Sequence, residues 1–127
     1  MRRLVLLALL CAAAGCGDSG PSDEEQVRAT LAELGRATTA KDYQALCDKV
    51  FAKSLTDKLS QVGLPCEVAM QQSFEDVQDP RLTVGKITID EDTAKAEVRT
   101  SASGQAPSQD TVELRRADGE WRVSSLG

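Results

Sequence analysis

Arg81-Leu82-Thr83-Val84-Gly85-Lys86-Ile87-Thr88-Ile89-Asp90 is the stretch in which the chain changes period. Leu82 and Val84 alternate with polar neighbours, as a strand buried on one face requires, and Ile87 and Ile89 then alternate in the opposite phase. The phase slips at Gly85-Lys86, which predicts a β-bulge and a bend. Within the domain, the regular elements before this stretch read as helices and those after it as strands. Asp79-Pro80 separates the two halves, since the residue before proline disfavours the helical region.

Downstream, Ala94, Ala96 and Val98 take one face and Lys95, Glu97 and Arg99 the other. A two-residue Glu91-Asp92 loop sets Ile89 opposite Ala94 and Ile87 opposite Ala96. Residues 101–109 are mostly polar and read as a loop, after which Val112 and Leu114 resume the inward face. Asp118-Gly119 is a strong hairpin signal. It pairs Arg116 with Trp121, Leu114 with Val123 and Val112 with Ser125. It also sets Arg115 against Arg122, a repulsive pair that Glu113 can relieve diagonally.

Upstream, Ser22 and Glu25 form a capping box ahead of a stripe made by Val27, Leu31, Leu34 and Thr38, a helix over about 23–40. Asp42 caps a second helix with Tyr43, Leu46, Cys47, Val50 and Phe51 on one face. Ser54 and Asp57 repeat the cap pattern over a short turn carrying Leu55, Leu59 and Val62, which Gly63 stops. Pro65 opens a third helix with Cys66, Ala69, Met70, Ser73, Phe74 and Val77 inward. The fold class is therefore α+β: N-terminal helices packed on a curved antiparallel sheet.

This order, with the opening Glu25-Gln26-Val27-Arg28, the Ala40-Lys41-Asp42-Tyr43 entry and the closing Asp118-Gly119-Glu120-Trp121-Arg122-Val123, resembles the cone-shaped, cystatin-like fold of nuclear transport factor two, ketosteroid isomerase and the polyketide cyclases. The resemblance spans most of the chain after the leader and implies a pocket between the sheet and the helices. It carries no catalytic motif, because this fold hosts enzymes, binders and scaffolds alike. The isomerases use a carboxylate base with a Tyr and a protonated acid, and some cyclases use a His–Asp pair. Here Tyr43 is the only Tyr, there is no His, and the acids read as caps, turns and outward positions. Pocket candidates are Tyr43, Val98, Thr100, Leu114, Arg116 and Trp121. Arg116 over Trp121 offers a cation–π contact and a fork for an anionic ligand, or it snorkels past a core tryptophan to water.

The first residues say where the protein acts. Arg2-Arg3, an uncharged apolar run and Ala13-Ala14-Gly15-Cys16 make a secretory signal over residues 1–15. Its end resembles the lipobox of bacterial lipoproteins, with Ala13 in place of the usual Leu. The resemblance implies that Cys16 carries lipid, residues 16–21 form a tether, and residues 22–127 form one domain held on the outer face of the cytoplasmic membrane. Ordinary cleavage near Ala13 or Ala14 and a secreted soluble protein is the alternative.

Cys47 and Cys66 then remain as an even pair in an oxidising setting, which predicts a disulfide over two buried thiols. With no His and no further thiol, the chain offers no zinc site, and no cofactor is called for. The signal carries two of the 15 basic residues and none of the 20 acidic ones, leaving a net charge of −7. That balance argues against nucleic acid. Three functions follow: a tethered, non-catalytic domain that binds a small apolar ligand or an envelope protein, an enzyme of the cyclase or isomerase type, and a structural accessory lipoprotein.

Overall fold

A computed structural model describes residues 20–127. The expected signal over residues 1–15, its lipobox-like end and Cys16 lie outside the described residues.

Helix α1 (Asp23–Ala40) begins at the capping box: the Glu25 backbone N–H donates to Ser22 Oγ at 3.2 Å, and the Ser22 N–H donates to Glu25 Oε2 at 3.3 Å. It buries Val27, Leu31, Leu34 and Ala37. It ends on Lys41, which takes a left-handed φ of 54° so that its N–H reaches the last carbonyls. Asp42 then accepts from the Ala45 N–H at 3.1 Å and opens α2 (Tyr43–Ala45).

The expected regular second helix is only partly formed. After Ala45 the chain widens into a π turn (Leu46–Val50), closed by Phe51 N–H on Leu46 O at 2.9 Å. The wide turn releases Phe51 into extended backbone, where it bridges Val123 in parallel, and Ala52 N–H donates to Val123 O at 2.7 Å. A sheet partner therefore decides where this helix ends.

Helix α3 (Lys53–Gln61) starts before the expected cap residues. Its N-cap is Ala52, and Asp57 pairs with Lys53 Nζ at 2.9 Å instead of capping. Val62, placed by the sequence on this turn with Leu55 and Leu59, lies past the end of the helix and is 76 % exposed, because Gly63 (φ +75°) reverses the chain and Leu64 packs on the core. Helix α4 (Cys66–Phe74) follows Pro65 and buries Ala69 and Met70. Ser73, also expected inward, is exposed and turns its hydroxyl back to Ala69 O. The Cys47–Cys66 disulfide ties the π turn to the start of α4.

Strands β1 (Arg81–Asp90), β2 (Thr93–Ala102), β3 (Gln105–Ala117) and β4 (Glu120–Ser125) form one antiparallel sheet in chain order. The bulge lies between Val84 and Ile87, and Ile87 and Ile89 face Ala96 and Ala94 as expected. The loop expected over 101–109 is instead paired strand, reversed at Ser103-Gly104. Gly104 takes φ +76°, and Ser103 is held by Gln78 O and Asp79 Oδ2. Backbone pairing orders this polar extension without any apolar alternation to announce it.

At the last hairpin Asp118 and Gly119 both take positive φ, and Arg116 pairs with Trp121 and Leu114 with Val123. A register shift at Glu113 places Glu113, not Val112, opposite Ser125. Arg115 does face Arg122, but the relief comes from Glu120, whose Oε2 accepts from Arg122 Nη2 at 2.7 Å. The core lies between α1 and the concave sheet face. Among the described residues no polar or charged residue is buried there.

Candidate functional site

The polar extension of β2 and β3 reaches past the core and leaves a cavity of about 270 Å³ between the helices and the concave face. Val98 and Val112, both nearly fully buried, belong to its sheet wall. Leu34, Gly35 and Thr38 of α1 form a second wall, and Phe74, Val77 and Pro80 a third. Gly35 leaves room here: a Cβ on it would come no closer than 3.8 Å to Leu82. Thr100, Ser108 and Asp110 share the parity of Val98 and Val112 and carry that face outward to the mouth. Thr100 Oγ1 and Ser108 Oγ lie 2.9 Å apart, and Ser108 Oγ donates to Asp110 Oδ2 at 3.3 Å.

Of the residues proposed for a pocket, Val98 and Thr100 line this cavity, whereas Tyr43, Leu114, Arg116 and Trp121 are not among its lining. Register explains the separation. Arg115 pairs with Thr93 and Ser108 with Thr100, so Arg116 and Thr100 stand at opposite ends of the sheet, roughly 25 Å apart along the strands. Leu114 is core, and Tyr43 packs against the core at the start of the second helix.

Arg116 stacks on Trp121 with its Cζ 5.2 Å from the ring centroid, and its fork is already taken. Its Nη1 meets Asp23 Oδ1 of α1 at 2.7 Å, and its Nη2 meets Asp92 Oδ1 in the β1–β2 turn at 2.8 Å. The hydrogen bond to Asp92 raises the guanidinium above its ordinary pKa, with Asp23 adding to it and burial opposing. The expected fork for an anionic ligand is thus an internal clasp. Trp121 Nε1 is buried without a hydrogen-bond partner beside it.

The same architecture is found in solved structures. An NTF2-like protein of unknown function from Silicibacter pomeroyi aligns over 79 % of this chain and 88 % of its own, at 16 % identity and a TM-score of 0.56. A second, from Shewanella baltica, aligns over 82 % and 92 % at 14 % identity with a TM-score of 0.57. A de novo designed NTF2 fold protein aligns over 84 % and 87 % at 16 % identity with a TM-score of 0.52. The fold is NTF2-like. No protein-family model matches the chain, and no curated protein matches it significantly. At these identities the likeness is one of fold, which is compatible with binding and with isomerase-type roles alike.

In this NTF2-like domain the sequence reading missed Ser108 and Asp110. Both were available from parity: counting back by twos from Leu114 and Val112 reaches Asp110 and Ser108 on the same face. The polar run hid them, because it read as loop. The acids with shifted pKa values lie elsewhere. Glu33 is lowered by its hydrogen bond to Arg36, and Asp42 by the Ala45 backbone N–H, both outside the cavity.

Proposed function

We propose that the protein is an exported, lipid-anchored envelope protein whose NTF2-like domain holds a small apolar molecule without transforming it. The observation that carries this reading is the cavity itself, walled by Leu34, Phe74, Val77, Val98 and Val112 beside a core that buries no charged residue. An apolar pocket with a few polar groups at its edge is what small-molecule binding asks for. A purely structural role would be served as well by a sealed core. Its one acid, Asp110, is exposed at the mouth and accepts a hydrogen bond from the Ser108 hydroxyl, with no base or second acid of the lining beside it.

The binding reading is tested with N-phenyl-1-naphthylamine, a neutral probe that fluoresces in apolar surroundings. The mature chain carrying Cys16→Ser is expected to enhance its emission saturably. Thr38→Phe puts a ring into the cavity from a half-buried helix position and is expected to weaken the probe at least about tenfold, at a stability cost of about 1–3 kcal/mol. Equal emission from both proteins would place the probe elsewhere.

Export and anchoring are supported by the Arg2-Arg3 head, the Ala13-Ala14-Gly15-Cys16 lipobox and a Cys47–Cys66 bridge that needs an oxidising compartment. No described helix is long and apolar enough to cross a membrane, so attachment would rest on the acyl chains of Cys16. Cys16→Ser is expected to move the protein from the membrane fraction to the released fraction. Unchanged fractionation would rule out the lipid.

A further inference from the structure

The mouth of the cavity has a direction written into its protons. Ser108 has one hydroxyl proton and donates it to Asp110 Oδ2. It therefore has none left for Thr100, and the 2.9 Å contact between the two hydroxyls must be a donation from Thr100 Oγ1 to Ser108 Oγ. The carboxylate accepts only. Each proton of the chain Thr100→Ser108→Asp110 thus points along it towards the acid, and what the three groups leave free is acceptor capacity alone: lone pairs on the two hydroxyls and on the Asp110 carboxylate. Arg81 is the one cationic residue of the lining. It alternates with the inward Leu82 and is exposed, on the parity of the other face. Among the described residues Asp110 has no ion-pair partner.

We propose that the cavity takes small amphipathic amines: an apolar body between Val98, Val112, Leu34 and Phe74, and an ammonium head on the Asp110 carboxylate and the Thr100 hydroxyl. This rests on the reading of the cavity as a binding site and adds the class of ligand to it. The volume of about 270 Å³ lies just under the ~300 Å³ at which drug-sized sites begin, so the ligand is small. At Thr100, Ser108 and Asp110 a carboxylate head of the same length meets only lone pairs and a like charge, and the donors of the lining, Ser101, Gln105 and Arg81, stand outside this chain of groups.

The test compares 2-phenylethylamine, 3-phenylpropanoate and propylbenzene by amide chemical-shift titration of the mature Cys16→Ser chain and of the same chain with Asp110→Asn. The amine is expected to bind at least about fivefold tighter than the other two, the equivalent of a partly exposed charge-assisted hydrogen bond, with shifts at Thr100, Ser108 and Asp110. In Asp110→Asn that preference is lost while propylbenzene binds as before. Binding of the carboxylate as well as the amine, or an amine preference that survives Asp110→Asn, overturns the assignment of the head group and leaves the apolar site standing. Failure of all three compounds, propylbenzene included, overturns the assignment together with the reading on which it rests.

Discussion

Trp121→Ala is expected to lower the stability of the domain by about 3–5 kcal/mol, the range for truncating a buried aromatic. Trp121 is only 4 % exposed and sits in β4, where the sheet meets α1. Its backbone carbonyl accepts from Thr30 Oγ1 of α1 at 2.9 Å, so the indole lies at the seam between helix and sheet. Arg116 covers one face of the ring and is itself pinned by Asp23 and Asp92. Because that clasp holds the guanidinium in place, the surroundings have little freedom to collapse into the space a missing ring leaves, and the cost belongs near the top of the range. Trp121→Phe separates packing from polarity. Nε1 makes no hydrogen bond in the folded protein, so removing it forfeits none, and a cost under about 2 kcal/mol is expected from lost volume alone. Urea unfolding followed by far-ultraviolet circular dichroism measures both. A loss under about 1.5 kcal/mol for Trp121→Ala would show that the seam repacks freely.

Opening the Cys47–Cys66 bridge, by reduction or by the double replacement with Ser, is expected to cost about 3 kcal/mol, the loop-closure value for two cysteines 19 residues apart. The local structure argues that the loop depends on it. Helix α3 lies wholly within the bridged segment and has no buried residue, and α4 contributes only Ala69 and Met70 to the core. One end of the segment is held by Ala52 N–H on Val123 O, and the other end by the bridge at the first residue of α4. Without the bridge, α4 loses its tie to the π turn. Phe74 and Val77, which wall the cavity just beyond it, lose definition with it. The expected result is a lower urea midpoint with weaker N-phenyl-1-naphthylamine binding than in the oxidised protein. An unchanged midpoint would assign the placement of α4 to packing on Met70 and Ala69.

Trp121, Cys47 and Cys66 also mark how far the sequence could be read. Cys47 and Cys66 form a pair once the leader is set aside, and Trp121 follows from the Asp118-Gly119 turn by counting. The capping box at Ser22, the bulge at Gly85-Lys86 and the pairs Ile89–Ala94 and Leu114–Val123 are likewise local facts. Each depends on residues within a turn or a hairpin of one another, where spacing and backbone preference decide the geometry. What failed depended on distant partners. Phe51 leaves its helix because Val123, far along the chain, offers it a bridge.

The polar strands around Ser103-Gly104 carry no apolar alternation because they lie beyond the core. Only the ladder between them shows that they are strands. Arg116 was read correctly as neighbouring Trp121, yet its charge is spent on Asp23, 93 residues away in sequence and adjacent only once α1 is docked. By itself, then, the sequence determined the α+β class, the disulfide pair, most of the register and the parity of the concave face, since these follow from periodicity and turn chemistry. Tertiary structure alone decided which end of that face is open and that Thr100, Ser108 and Asp110 join into one directed chain. Both depend on how far two paired strands reach past a helix, and no single segment encodes that distance.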